Sequence, residues 1–118
     1  EAASDIFFMP SRYEPCGLNQ IYSLRYGTIP VVRKTGGLAD TVRDWDEFAA
    51  KGLDTGTGFS FNDFNPYALS STMSRAVSKY HDKQVWNKII QNGMKEDFSW
   101  ELSASGYMDV YKKALAKK

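Results

Sequence analysis

The run Pro10-Ser11-Arg12-Tyr13-Glu14-Pro15-Cys16-Gly17-Leu18-Asn19-Gln20 gathers an acid, a thiol and a glycine turn in a few residues. A short apolar strand, Asp5–Met9, precedes it, and an amphipathic stretch from Ile21 to Gly27 follows. The order places the acid, the Pro-Cys-Gly turn and a helix N-terminus at the carboxyl end of a strand. In open α/β sheets ligands bind at that edge. The first N–H groups of a helix have no backbone partner, and the dipole turns its positive end outward there. Such a place takes a phosphate without any basic side chain. Glu14 has the wrong sign to hold phosphate, but a carboxylate accepts hydrogen bonds from hydroxyls such as those of a sugar. The run therefore reads as a sugar nucleotide site. A plainer reading stands beside it, because the helix dipole alone favours an acid near a helix start.

Other residues that invite a chemical role carry less. A thiol nucleophile needs a base, and the only histidine, His81, lies far along the chain at a helix end and is expected to face solvent. Cys16 is therefore read as lining the site. Arg12 could pair with Glu14 or reach a ligand, and a surface role is the simpler expectation. Asp40 is expected in the first turn of a helix, where the dipole explains it. Trp45, Trp86 and Trp100 could stack on sugar rings, but their helical spacing with other apolar residues points to core packing.

The 118 residues fit one domain, and 42% hydrophobic residues with seven Phe, seven Tyr and three Trp suffice for a core. A net charge of +1 favours neither nucleic acid nor an anionic membrane. No apolar run approaches the ~20 residues a membrane span needs. The opening Glu1-Ala2-Ala3-Ser4-Asp5 lacks the basic start and apolar block of a secretory signal. It reads as the end of a helix running into a strand, as in a piece of something longer. One cysteine excludes an internal disulfide and suits a reducing cytoplasm, and one Cys with one His makes no zinc cluster.

Three strands position the run: Asp5–Met9, Ile29–Arg33 and Gly58–Phe61, each short, apolar and bounded by Gly, Pro or Asp. Helical patterns follow each one, so the order βαβαβα predicts a parallel sheet. The first connecting helix is expected over Gly17–Tyr26. The second is expected over Leu38–Trp45, extending towards Ala50, with a Gly-rich loop over Gly52–Gly58. Asn65-Pro66 caps a helix with Leu69, Met73, Ala76, Val77 and Tyr80 on one face. Another helix, Asp82–Met94, turns Val85, Trp86, Ile89 and Ile90 inward. Ser99 caps a last helix carrying Trp100, Ala104, Tyr107, Val110, Tyr111 and Leu115. Lys112, Lys113, Lys117 and Lys118 read as its solvated end. Three strands make a small parallel sheet, since such sheets bury both faces and usually have more. The expectation is a partial doubly wound, Rossmann-like domain.

Glu14-Pro15-Cys16-Gly17-Leu18-Asn19-Gln20, Tyr26–Arg33 and Thr35-Gly36-Gly37-Leu38-Ala39-Asp40-Thr41-Val42 together resemble the bacterial glycogen synthases and plant starch synthases. The likeness extends to Thr57-Gly58-Phe59 and to the helix after Phe98-Ser99-Trp100. Those enzymes are retaining glucosyltransferases of the two-lobed GT-B arrangement that use a nucleotide glucose, typically ADP-glucose. The resemblance implies that residues 1–118 are the C-terminal half of the second, nucleotide-sugar-binding lobe. It implies transfer of glucose to the 4-hydroxyl end of an α-1,4-glucan, with no cofactor or metal beyond the ADP-glucose donor. The expected compartment is the cytoplasm, or the plastid in a plant.

By the same resemblance Glu14 holds hydroxyls of the donor glucose. Cys16, Gly17 and Leu18 form the turn that approaches this sugar and the distal phosphate, and Asn19 faces phosphate at the helix start. Tyr22 stands where the wider retaining GT-B pattern often has a second, ribose-binding acid. Glycogen and starch synthases carry Tyr there, which supports this branch. Thr35 and Gly36 face the same edge as Glu14 and are expected at the donor. Lys34-Thr35-Gly36-Gly37-Leu38 reads literally as the family's first-lobe Lys-x-Gly-Gly-Leu signature. Its context, after the Ile29–Arg33 strand, is that of the second lobe's own Thr-Gly-Gly-Leu turn, so Lys34 is read as part of a strand–turn–helix junction. Two alternatives stay open: a related retaining transferase, which would favour Glu at position 22, and a non-catalytic sugar-nucleotide-binding or interaction module. A partial sheet would also leave Ile6–Met9 as an apolar edge through which the chain self-associates.

Overall fold

The computed structural model describes residues 2–117. Its elements run β1 (Ile6–Met9), α1 (Asn19–Arg25), β2 (Ile29–Arg33), α2 (Gly36–Thr41), α3 (Trp45–Ala49), β3 (Phe59–Phe61), α4 (Pro66–His81), α5 (Lys83–Met94) and α6 (Trp100–Ala116). The strands form one parallel sheet in the order β1-β2-β3, with Ile6 opposite Ile29 and Val31 opposite Phe59. This is the expected α/β architecture. Of the predicted opening helix end, Ala2 and Ala3 form a turn, and Glu1 and Lys118 lie outside the described residues.

Central strand β2 is apolar on both sides because both of its faces are covered. Ile29 and Val31 pack with Trp45, Phe59, Ala76, Trp86 and Ile89 on one side, and Val32 packs with Leu38 and Val42 on the other. Trp45 and Trp86 are therefore core residues, as expected. Leu24 of α1 is buried against α5, where a side chain at Gly93 would collide with it.

Three expectations are corrected. The predicted Leu38–Ala50 helix is two helices separated by Val42-Arg43-Asp44, with extended backbone at Val42 and Asp44. Tertiary bonds outcompete helix continuation there: Asp44 bridges in parallel to Gly58, caps α3 through Glu47 N–H, and accepts from Ser60 N–H. Asp40 is the fifth residue of α2 rather than a first-turn acid, so the dipole does not account for it. Trp100 is 82% exposed, and α6 carries no buried residue. The apolar residues of α6 are spaced for packing, but no described element packs on them.

Candidate functional site at the carboxyl edge of the sheet

Chain segments leaving all three strands meet at one edge. Arg33, at the end of β2, ties them together: Nε donates to Asn62 O after β3 at 3.0 Å, and Nη1 donates to Arg12 O after β1 at 2.7 Å. The Arg33 and Arg12 guanidinium carbons lie 5.5 and 6.0 Å from the Phe64 ring centroid. Arg12 is exposed and makes no ion pair with Glu14. The surface role expected for it holds.

The Glu14–Gly17 loop lies directly on the turn that opens α2. Gly37 N–H donates to Glu14 O at 3.1 Å and to Pro15 O at 3.0 Å. A Cβ on Gly36 would overlap the Glu14 carbonyl oxygen, and one on Gly37 would overlap that of Cys16. Gly36 also has φ +46°, a conformation that favours glycine. The paired glycines thus let two backbones touch, and Gly36 braces the loop that presents Glu14. The structure brings together Glu14, Cys16, Gly17, Thr35 and Gly36.

The available polar groups define the chemistry. Glu14 is half-buried, and its carboxylate has no partner among the described residues. Thr35 is the N-cap of α2, yet its hydroxyl makes no capping bond. Gly17 has φ +70° and Leu18 lies in the right-handed helical region, and neither N–H has a described acceptor. Successive N–H groups in such alternating backbone form a concavity suited to an anion. An acceptor carboxylate, a free hydroxyl and an N–H pair together suit a hydroxyl-rich ligand with an anionic end.

The first helix begins at Asn19 rather than Gly17, because the positive φ of Gly17 stops helical backbone from reaching it. Leu18 and Asn19 are exposed beside the loop. Tyr22, 49% exposed, stands one turn further on and lines a different cleft of about 440 Å³ with Arg25 and Phe98. Lys34 pairs with Glu47 at 2.6 Å, which accounts for it at the strand–turn–helix junction. His81 is exposed, as expected.

Two groups escaped the sequence reading. Gln20 is wholly buried beneath the site loop: Nε2 donates to Cys16 O at 3.1 Å, Gly17 O at 3.0 Å and Thr41 Oγ1 at 3.2 Å. Its Oε1 is buried with no partner, at a cost of about 1–3 kcal/mol. The only clue in the sequence is its spacing with Ser23 and Leu24, which places a polar residue on the inward face of α1. Asp44 and Arg75 form the second group. Arg75 donates to both Asp44 oxygens at 3.2 Å, to Asp46 at 2.7 Å and to Ser60 O at 2.9 Å. Burial pushes the Asp44 carboxyl up, but hydrogen bonds from Arg75, Ser60 N–H and Glu47 N–H outweigh it and hold the group below its ordinary value. This network locks α3, β3 and α4 behind the site. No helix among the described residues is long and apolar enough to cross a membrane.

Comparison with known proteins shows the family of the chain. The family model for glycosyl transferases group 1 matches residues 2–96. A glycogen synthase of Thioalkalivibrio sulfidiphilus is 56% identical over 112 residues, 95% of this chain and 23% of that protein. A glycogen synthase of Thermosipho africanus is 56% identical over 118 residues, 99% of this chain and 24% of that protein. The solved catalytic domain of starch synthase IV from Arabidopsis thaliana, bound to ADP and acarbose, matches with TM-score 0.83 at 38% identity, over 97% of this chain and 23% of that chain. Sucrose-phosphate synthase from Thermosynechococcus elongatus matches with TM-score 0.62 at 24% identity, a likeness of fold alone. The chain thus spans about a quarter of the length of the relatives it matches. With the family model covering most of its length, this chain belongs to the group 1 glycosyl transferases.

Proposed function

We propose that the complete protein transfers glucose from ADP-glucose to the 4-hydroxyl end of an α-1,4-glucan with retention, as a glycogen or starch synthase. In this reading the chain is the C-terminal half of the nucleotide-sugar-binding lobe. The observation that carries it is the unpartnered Glu14 carboxylate beside the free N–H groups of Gly17 and Leu18, in a chain 56% identical to a glycogen synthase. The starch synthase IV that shares the fold was solved with ADP and acarbose, a nucleotide and an oligosaccharide analogue.

Each residue then has a task. Glu14 accepts hydrogen bonds from hydroxyls of the donor glucose. The Cys16-Gly17-Leu18 turn approaches that sugar and receives the distal phosphate on its N–H groups, with Asn19 beside it. Thr35 offers its hydroxyl to the donor, and Gly36 holds the Glu14 loop in place. Tyr22, one turn beyond Asn19 on α1, is a further donor-binding residue. Charge on the leaving diphosphate is met by backbone N–H groups and basic residues, without a metal. The compartment that fits is the cytoplasm of a prokaryote, or a plastid.

The test is incorporation of labelled glucose from ADP-glucose into glycogen by the complete protein, beside a Glu14→Ala variant. Transfer that depends on Glu14 supports the reading. No transfer from ADP-glucose by the folded wild-type protein would overturn it.

A further inference from the structure

Gln20 sits beneath the Cys16-Gly17 turn and has no access to solvent. Its amide is wholly buried, and its two Nε2 hydrogens serve three acceptors: Cys16 O at 3.1 Å, Gly17 O at 3.0 Å and Thr41 Oγ1 at 3.2 Å. Thr41 Oγ1 in turn donates to Gly37 O at 2.7 Å, and Gly37 N–H donates back to Glu14 O and Pro15 O. Ser23 Oγ holds the Gln20 main chain by donating to its carbonyl at 2.8 Å. The circuit joins both segments that form the site. The amide orientation is forced, because turning it over would set Oε1 against two carbonyl oxygens. As it stands, Oε1 has no donor. An apolar residue of this size would remove the unpaired oxygen but leave the Cys16 and Gly17 carbonyls without this donor.

Each peptide unit is trans, so its N–H lies on the edge opposite its C=O. A carbonyl drawn inward therefore sends the following N–H outward. The carbonyls of Cys16 and Gly17 belong to the peptide units that carry the N–H groups of Gly17 and Leu18. We propose that Gln20 is a positioning residue of this site: by holding the Cys16 and Gly17 carbonyls inward, its buried amide aims the Gly17 and Leu18 N–H groups at the diphosphate of a nucleotide sugar. The inference rests on the proposed glucosyl transfer. Charge grows on the diphosphate as the glycosidic bond breaks, so fixed N–H donors act most strongly in the transition state.

Gln20→Met in the complete protein keeps the volume, removes the donor and deletes the orphaned oxygen. The expected result is kcat lowered by about tenfold or more, a smaller rise in KM for ADP-glucose, and a Tm near wild type, because deleting the unpaired oxygen offsets the donor lost by the Cys16 and Gly17 carbonyls. ADP titrated calorimetrically should bind about tenfold more weakly. Thr41→Val should lower kcat in the same direction while the protein stays folded at the assay temperature, and should add little in the double variant, because the two side chains act as one unit. It carries the test if Gln20→Met does not fold. Wild-type kcat and ADP affinity in the variants would overturn the proposal, as would a kcat loss that merely follows a fall in Tm. If the wild-type protein transfers no glucose, the ADP titration still reads the positioning role, and only the proposed reaction falls.

Discussion

At the scale of single residues, the Glu14 loop combines a side chain proposed to meet ligand with a backbone held against the α2 turn. Loss of a hydrogen bond to a charged group costs about 1.5–3 kcal/mol. Glu14→Ala in the complete protein should therefore lower glucosyl transfer by well over tenfold. Glu14 is half-buried with no partner to strand, so the melting temperature should barely move. Near-normal transfer by this variant would remove Glu14 from the donor site. Gly37→Ala acts through the backbone instead. Its new Cβ meets the Cys16 carbonyl, which is backbone and cannot swing away. Overpacking of this kind costs about 1–3 kcal/mol, so denaturant unfolding should shift and transfer should fall together. Stability unchanged in Gly37→Ala would show that the two turns do not touch as described.

At the scale of elements, the Asp44–Arg75 network decides where helices begin and end. Asp44 is 1% exposed, caps α3, and is held by Arg75 of α4 and by the N–H of Ser60 in β3. Arg75→Met would leave that carboxylate buried and unpaired, at a cost of about 3–5 kcal/mol. Urea titration should show it as a lower midpoint. The pH dependence follows from the depressed folded-state value of Asp44. A carboxyl with a lower pKa folded than unfolded contributes its stability above the unfolded value, about 3.9, and loses it as pH falls through the folded value. Asp44→Asn should flatten that acid limb of the stability curve, while lowering stability at neutral pH. An acid limb identical to wild type would show that Asp44 does not carry it.

At the scale of the whole molecule, the proposed function makes the 118 residues one side of a site. A two-lobed transferase brings donor and acceptor together in the cleft between its lobes. This chain alone should therefore incorporate no labelled glucose into glycogen above a Glu14→Ala control, because positioning and charge stabilisation supply most of the barrier reduction. Turnover above that control would mean a self-sufficient enzyme. Strand β1 is an edge of the sheet, with Phe8 40% exposed and Ile6, Phe7 and Met9 half-buried. An open apolar edge is a template for pairing. Sedimentation of this chain should show association that weakens when Phe8 is replaced by Lys. A monomer at high concentration would refute it.

Local rules were enough for part of this protein. The β-strands were legible because short apolar runs between Gly, Pro and Asp have few other solutions, and the caps Asn65 and Ser99 because a side-chain oxygen before a helix satisfies N–H groups that nothing else will. The Glu14–Leu18 loop was legible as a candidate because its polar groups lie in consecutive residues at a strand's end. The tertiary structure alone decided what depends on distant partners. Asp44 breaks the second helix because Ser60 and Arg75, 16 and 31 residues away, satisfy it there. Gln20 ties the Cys16-Gly17 turn to α2 because Thr41, 21 residues on, completes its bonds. Trp100 is exposed while Trp45 and Trp86 are buried, although all three have the same helical spacing of apolar neighbours. Spacing determines which side of a helix is apolar, and only the packed fold determines whether a surface is there to cover it.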